Sequence, residues 1–393
     1  MFIQRELKKK LSLLKTQFPV IALLGPRQSG KTTLSREAFP TYEYVNLEEL
    51  DIRQFANEDP KGFLENYAER SGKDGVIFDE IQNAPDLFSY LQVRVDKEKR
   101  EGFYILTGSQ NILLNQHISQ TLAGRIAIQT LLPLSIEELT LAHRLPSDLF
   151  TVLYQGFYPS IYAKKIDPQD CYKGYIQTYV ERDARQVRNI SDLSLFQKFI
   201  KLCAGRIGQI LNLTSLSSDC GISVNTARAW ISILEASYVV FLLYPHHKNF
   251  SKRLVKSPKL YFYDPGLASH LLGIKSAETL VQHYLRGGLF ESMILVNLMK
   301  QRFNAGKNSN LYFWRDKTGL EIDCLLEKGG HLIPIEIKSG ETIHSDFFDA
   351  ILRFCDLANI PPSTGYVVYG GAEDQKRQTS HMISWKSLSK IEN

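Results

Sequence analysis

Long apolar runs are missing from this sequence, and no window reaches the ~20 residues that a membrane-spanning helix needs. The basic run Lys8-Lys9-Lys10 leads into Leu11-Ser12-Leu13-Leu14, but Lys15 interrupts the apolar stretch too early for a secretory leader. Cysteine is scarce: Cys171, Cys203, Cys220, Cys324 and Cys355 are scattered, odd in number and without a C-x-x-C pair. That excludes a disulfide framework and a zinc module, and predicts reduced thiols in a cytoplasmic protein with no membrane partner. Internal repeats and low-complexity tracts are absent as well, which removes solenoids and disordered scaffolds. A strong charge imbalance is also lacking. Lys and Arg total 47 against 42 Asp and Glu, and the net +5 permits a polyanionic partner without demanding one.

What remains is ordinary globular composition, 44% hydrophobic and 23% charged, in 393 residues that suffice for two or three cores. The sharpest signal is the apolar run Val20-Ile21-Ala22-Leu23-Leu24, which reads as a buried strand. It enters Gly25-Pro26-Arg27-Gln28-Ser29-Gly30-Lys31-Thr32-Thr33, which fits the G-x-x-x-x-G-K-T phosphate loop without a gap. Gly25 and Gly30 permit backbone angles at which successive N–H groups curl around phosphate oxygens. The following helix aims its positive end at the same anion. Lys31 reaches the β- and γ-phosphates, and the Thr32 hydroxyl is placed to ligate Mg²⁺. The loop therefore predicts ATP as a bound nucleotide, with residues 25–33 as its cradle.

A basic amphipathic helix is expected over about 2–14, a helix after Thr33 ending at Pro40, and a second strand over Tyr42–Leu47. Gly75-Val76-Ile77-Phe78-Asp79-Glu80-Ile81-Gln82 has the form of a Walker B element, an apolar strand ending in two carboxylates. Asp79 would hold Mg²⁺ and Glu80 would orient or deprotonate the attacking water. Phe103–Leu106 is a third buried strand, and Thr107-Gly108-Ser109-Gln110-Asn111 ends it in small polar residues. Ser109 and Asn111 are candidates for a γ-phosphate sensor, with Thr107 behind them; a plain polar turn is the other reading. Arg125, after Gly124, reads either as an arginine finger, in cis or across a subunit boundary, or as a structural ion pair.

These stretches, with Pro133–Leu139, resemble the prokaryotic AAA+-type ATPases of the "archaeal ATPase" group. The resemblance implies a parallel sheet with the Walker A and Walker B strands adjacent, ATP at their carboxyl ends, and an oligomer. A second sensor arginine has no clear position in this sequence. Gly156-Phe157-Tyr158-Pro159 and Tyr179-Val180-Glu181-Arg182-Asp183 also fit the group, whose helical lid follows the core; Arg182 and Asp183 read as a surface ion pair.

Leu213–Ser223 reads as a helix broken at Gly221, and Val224–Glu235 as a second helix capped by Ser223. That is helix-turn-helix spacing, with Ala227, Ile231 and Leu234 on a buried stripe and Asn225, Thr226 and Arg228 facing a groove. Tyr238–Tyr244 and Arg253-Leu254-Val255 read as the strands of a wing, flanked by Lys248, Lys252, Arg253, Lys256 and Lys259. Either the winged helix contacts DNA phosphates, or it packs against protein.

Further on, Glu291 stands alone in an apolar helix, costly unless it is paired or bound to metal. Leu311–Arg315 and Leu320–Leu326 make a hairpin, and Leu332–Lys338 a further strand. Period-two pleating puts Glu336 and Lys338 on one face, and Glu321 and Asp323 share a face of their own strand. The order of these residues resembles the PD-(D/E)XK nuclease fold, with Ile322-Asp323 where the name gives Pro-Asp. It also resembles the restriction-endonuclease-like domain of unknown function that follows such ATPase cores. The resemblance implies that Asp323 and Glu336 hold Mg²⁺, that Lys338 positions or activates water, and that Glu291 completes the acidic cluster. The alternative is a retained fold with slow or absent cleavage.

The sequence thus predicts an α/β protein: an AAA+-type P-loop ATPase core over 1–150, a helical lid over 151–195, a winged helix-turn-helix over 196–258, and an α/β restriction-endonuclease-like domain over 259–393. The expected function is a homo-oligomeric, cytoplasmic ATPase acting on duplex or branched DNA with Mg²⁺-dependent cleavage. The alternative is a nucleotide-dependent protein switch, or a DNA-binding ATPase with an inactive nuclease fold.

Overall fold

A computed structural model describes residues 3–68, 74–109, 121–180, 192–246, 256–316, 318–377 and 380–392. The chain forms two compact units, Phe2–Leu134 with Phe303–Lys307, and Ser135–Arg302 with Asn308–Asn393.

The first unit begins with helix α1 (Leu7–Leu14), strand β1 (Val20–Leu24), α2 (Lys31–Ala38) and β2 (Glu43–Asn46). Helices α3 (Leu50–Glu58) and α4 (Pro60–Ala68) precede β3 (Val76–Asp79); α5 (Leu87–Glu98), β4 (Tyr104–Gly108) and β5 (Ile126–Thr130) complete it. The strands form one sheet in the order β2-β3-β4-β1-β5, with every pairing parallel. Its central strands are buried on both faces, which is why they read as unbroken apolar runs. Alternate residues serve alternate layers. Val20, Ala22, Leu24, Phe78 and Leu106 pack with Phe63, Phe88 and Leu91 of α4 and α5, whereas Ile21, Leu23, Ile77 and Ile105 pack with Leu7, Leu11 and Leu34 of α1 and α2.

The expected adjacency of the Walker A and Walker B strands is corrected by this order. β4 lies between β1 and β3, pairing Leu106 with Ala22 on one side and with Phe78 on the other. All five residues of β4 are buried, and a strand with no solvent face belongs in the sheet interior with a partner on each edge.

The second unit opens with helices α6 (Ile136–Leu141), α7 (Leu149–Gln155), α8 (Pro159–Lys164) and α9 (Pro168–Tyr175), the last continuing as a π-helix over Ile176–Val180. Residues 181–191, including Arg182 and Asp183, lie outside the described residues. Then come α10 (Leu193–Ala204), α11 (Leu213–Cys220) and α12 (Val224–Ala236). The Ser223 hydroxyl caps α12 by accepting from the Thr226 N–H at 3.0 Å. Ala227, Ile231 and Leu234 are buried as their spacing predicts, and Trp230 meets the rings of Phe196 and Phe199 edge-on. Strand β6 (Val240–Leu243) pairs antiparallel with β7 (Lys259–Phe262). The wing's expected second strand, Arg253-Leu254-Val255, falls outside the described residues, as do Lys248 and Lys252. Lys256 is exposed, but Lys259 is buried and unavailable to a phosphate, which corrects its expected place among the basic residues of the wing.

Helices α13 (Pro265–Leu271), α14 (Ala277–Val281) and the long α15 (Arg286–Asn304) lead to strands β8 (Leu311–Arg315), β9 (Glu321–Lys328) and β10 (His331–Lys338). Helix α16 (Asp349–Ala358), β11 (Tyr366–Tyr369), β12 (Gln375–Arg377), β13 (Ser380–Ser384) and α17 (Ser389–Glu392) follow. The six strands order as β12-β13-β11-β10-β9-β8. β8, β9 and β10 meander antiparallel, whereas β10-β11 and β11-β13 are parallel. Ile351 and Phe354 of α16 cover one face of this sheet, packing with Trp314, Leu325 and Val367.

Glu235, near the end of α12, gives a pH test of the second unit. Burial raises its carboxyl from 4.5 to about 7, although a backbone hydrogen bond from Leu242 opposes the shift. A raised folded-state pKa means that the folded chain holds the proton more tightly. The stability this contributes is complete below 4.5 and is lost as pH rises through about 7. Glu235→Gln keeps the uncharged shape at every pH. Melting temperatures of both chains across this range should coincide below the lower value and separate above the upper one, with the variant the more stable.

Candidate functional site

β1, β3 and β4 finish together at one edge of the first sheet, where Leu24 pairs with Gly108 and Asn46 with Asp79. The segments that follow them, 25–33, Glu80 and Ser109, therefore share that edge, where ligands of open parallel sheets bind. A Cβ on Gly25 would stand 2.2 Å from the Leu131 carbonyl oxygen, and φ there is +149°. Gln28 and Gly30 are left-handed, at φ 59° and 96°, which gives the backbone reversal that an anion-binding nest requires. Pro26 and Ser29 are buried, Arg27 lies 3.9 Å from Glu48, and Gln28 and Thr33 are exposed.

Lys31 is folded over its own loop, donating to the carbonyls of Gly25 at 3.0 Å and Pro26 at 2.8 Å. Asp79 is buried and accepts three hydroxyls. Thr32 Oγ1 at 2.8 Å and Tyr44 OH at 2.7 Å reach Oδ2, and Thr107 Oγ1 reaches Oδ1. Burial, reinforced by the bond to Asp79, raises the Tyr44 hydroxyl well above its usual pKa and keeps it a donor. Glu80 stands in a left-handed conformation, φ 56°, with its N–H donating to Thr107 Oγ1 at 3.3 Å. Its carboxylate accepts the Ser109 hydroxyl at 3.0 Å and the Gln82 amide. Asn111 lies outside the described residues.

These residues fit both ATP and Mg²⁺. The buried Ser29 Oγ has no hydrogen-bond partner, and the backbone around it is shaped for an anion. Thr32 and Asp79 pair two hard oxygen donors, of the kind Mg²⁺ takes.

Arg125 does not reach this site. It precedes β5 at the opposite edge, where Val20 pairs with Ile126, one strand length or about 17 Å from the loop. There it makes a two-pronged ion pair with Asp96, at 2.5 and 2.9 Å. That closes the in-cis finger reading.

Sequence reasoning gave no role to Tyr44, Arg5 or Gln82, although Gln82 closes the block that begins at Asp79. Arg5 is buried, donating to the Ser29 carbonyl at 2.7 Å and the Leu132 carbonyl at 2.6 Å. Tyr44 becomes meaningful only once β2 is known to flank β3. Arg5 is masked in the sequence by the neighbouring lysine run.

In the second unit Lys338 Nζ lies 2.7 Å from Glu336 Oε2 and 3.8 Å from Asp323 Oδ2, so these three predicted residues meet. Asp323 Oδ2 also accepts the Ile337 N–H at 2.9 Å. Glu291 has other partners: Lys259 Nζ at 3.2 Å and the Tyr261 hydroxyl, both on Oε1. Lys259 also pairs with Glu321, which Arg315 approaches at 3.2 Å. Burial and then Asp323 push the Glu336 carboxyl up, and raise Glu291 to about 7, against the pull of Lys338 and Lys259 respectively. Among the described residues no three His, Cys, Asp or Glu side chains gather as a metal-holding group. Asp323, Glu336 and Lys338, expected to share a site, are thus brought together, whereas Glu291, expected to complete the acidic cluster, is held by Lys259 and Tyr261.

Residues 17–140 match the family described as an AAA domain. Residues 146–278 and 286–388 match two families, each described as a domain of unknown function. An uncharacterized protein of Mycobacterium tuberculosis is 31% identical over 331 residues, covering 82% of this chain and 71% of its own; an uncharacterized protein of Mycobacterium bovis matches to the same extent. An uncharacterized protein of Haemophilus influenzae is 21% identical over 369 residues, covering 85% of this chain and 86% of that one. Among solved structures, a Walker-type ATPase of Pyrococcus abyssi aligns at 17% identity with a TM-score of 0.48, over 69% of this chain and 96% of the other. No helix among the described residues is long and apolar enough to cross a membrane.

Arg5 supplies the test of how the loop is held. Replacing it with alanine removes two charge-assisted bonds, one of them to the loop itself. Arg5→Ala should weaken ATP binding about tenfold, the equivalent of ~1.4 kcal/mol, and Arg5→Lys should recover part of it. Calorimetric titration with a non-hydrolysable ATP analogue measures this directly, and unchanged affinity in a folded variant would remove Arg5 from the site.

Proposed function

We propose that this chain, which belongs to one family with the uncharacterized mycobacterial proteins and is an ATP-hydrolysing enzyme through its AAA domain, is a nucleotide-dependent switch that holds DNA without cutting it. The observation that carries the ATPase part is the convergence of Lys31, Thr32, Asp79 and Glu80, with Ser109, at one sheet edge.

When nucleotide enters, Lys31 leaves the Gly25 and Pro26 carbonyls for the β- and γ-phosphates. Thr32 and Asp79 would hold Mg²⁺, whose part is to neutralise charge on those phosphates. Tyr44 and Thr107 keep the Asp79 carboxylate aimed once Thr32 turns from it. Glu80 orients the attacking water and takes its proton, while Ser109 and Gln82 hold its carboxylate in place. Arg125 is left one role in hydrolysis, a finger offered to a second copy, and this favours a homo-oligomer.

The DNA part is supported by α11 and α12, which have helix-turn-helix spacing with Asn225 and Arg228 exposed on the first turns of α12. The exposed Lys256 adds a phosphate contact. Absence of cleavage is the reading favoured by the C-terminal cluster, in which Lys259 and Lys338 already neutralise the carboxylates.

Glu80→Gln should bind ATP as wild type does and hydrolyse it about 10²–10³-fold more slowly. ATP turnover is to be measured with no DNA and with duplex, single-stranded and four-way-junction DNA, the same DNA then being run on a denaturing gel. Stimulated turnover with intact DNA is the expected result. New cut products would restore the nuclease, and turnover indifferent to every DNA would leave a protein partner.

A further inference from the structure

Helices α9, α10 and α13 of the second unit line a cavity of about 350 Å³. Small-molecule sites start at ~300 Å³, so the space suits one compact ligand. Its apolar wall includes Ile176, Ile200 and Leu271, of which the last two are buried. At Ile176 this wall passes from α9 into the π-helix, a rare geometry found mostly at functional sites. Lys173 of α9 and Lys201 of α10 line the cavity as well. Both are exposed, and neither is in an ion pair among the described residues.

The third polar group is His270, half-buried on α13. Gln169 donates its amide to the Ile274 carbonyl at 2.9 Å, so its oxygen faces His270 Nδ1 at 2.7 Å. Nδ1 therefore carries the proton of the neutral ring, and Nε2 is left as an acceptor with no partner among the described residues. Burial, then Lys201 and Lys173, hold the His270 pKa below the ordinary 6.5, and no carboxylate is among the groups that move it. Of the neighbouring elements, α9 also brings the Tyr172 ring to 6.4 Å, and α7 has no charged residue. Lys259 of the preceding β7 is already paired with Glu291 and Glu321. A cleft lined by one sign of charge with low-dielectric walls concentrates ions of the other sign.

We propose that this cavity is a binding site for a small organic anion with an apolar body. The charged end lies against Lys173, Lys201 and His270, and the body rests on Ile176, Ile200 and Leu271. An anion beside the two lysines offsets their effect on His270, whose pKa then rises. Binding thus takes up a proton, which goes to Nε2 because Nδ1 already holds one, and it tightens as pH falls.

The test is titration calorimetry of the full chain with naphthalene-1-sulfonate, a non-hydrolysable ATP analogue saturating the phosphate loop throughout. The sulfonate stays charged across the pH range used, so any proton taken up belongs to the protein. A single molecule should bind per chain, and neutral 1-naphthol should bind about tenfold more weakly or worse. Lys173→Met combined with Lys201→Met keeps both apolar stems at exposed positions; it should weaken the sulfonate about tenfold and leave the melting temperature unchanged. Wild type should take up a proton, read from the heats in buffers of different ionisation enthalpy, and bind more tightly at about pH 5 than at about pH 8. His270→Gln should match wild type at the higher pH and lose both the uptake and the pH dependence. Absence of binding, or binding that the double lysine variant leaves intact, overturns the site. Binding without proton uptake overturns the place of His270 in it. Duplex DNA that displaces the sulfonate and loses affinity for the double variant would assign the lysines to a nucleic acid, and the small-ligand proposal would fall.

Discussion

The first unit depends on keeping one buried carboxylate satisfied. Asp79 ends β3 inside the protein, where an unpaired charge would cost several kcal/mol. Its three hydroxyl donors come from three separate elements: Tyr44 on β2, Thr107 on β4 and Thr32 on α2. Only a sheet in which β3 lies between β2 and β4 brings the first two to it, and only a β1 that ends in register with β4 brings the third. The strand order is thus part of the site. Three neutral hydroxyls also leave the carboxylate with its full charge, and one of them can be given up to an arriving cation without orphaning it.

The second unit meets the same requirement with different donors. Asp264 is buried and accepts the Phe157 N–H at 2.8 Å, the Leu267 N–H at 3.0 Å and the Tyr172 hydroxyl at 2.7 Å. Burial raises its pKa, and those three bonds with Lys300 pull it back. Around Glu291 and Glu336 the donors include ammonium groups, Lys259 beside the Tyr261 hydroxyl on the first and Lys338 on the second. The distinction is chemical. A hydroxyl beside a carboxylate becomes a co-ligand when a metal arrives, whereas an ammonium competes with that metal for the same oxygens. The two clusters of acidic residues therefore differ in the charge of their donors, a difference that the carboxylates themselves do not reveal in the sequence.

What was legible in the sequence was local. The strand–loop–helix over residues 20–38, the β3 strand before Asp79-Glu80, and the α11–α12 pair with its Ser223 cap each announce themselves within a dozen residues. The meander Leu311–Lys338 was equally readable from its alternation and turns. Strand order was not, because a parallel crossover does not record in its own sequence which neighbour it skips. Hence β4 between β1 and β3, Tyr44 beside Asp79, and Arg5 across 24 residues from Ser29 appear only in three dimensions. Lys259 was read as part of a basic surface because a lysine run gives no hint of burial. The pairing of β6 with β7 and the carboxylate of Glu291 decide its place.

Arg125 shows how a register argument constrains assembly. Parallel pairing of Val20 with Ile126 fixes it at the amino edge of the sheet, whatever rotamer it adopts. A guanidinium spans only a few ångströms of side chain, so the loop beyond Leu24 is out of its reach within one subunit. Its partner Asp96 is about half exposed, and an ion pair this open to water contributes little to stability. Such a pair is surrendered at small cost when a stronger anion approaches. In the assembly proposed above, a phosphate on a neighbouring copy would be such an anion. The residue is thus tied down loosely on an edge where its own nucleotide cannot use it, and the between-subunit role proposed above would draw on that looseness.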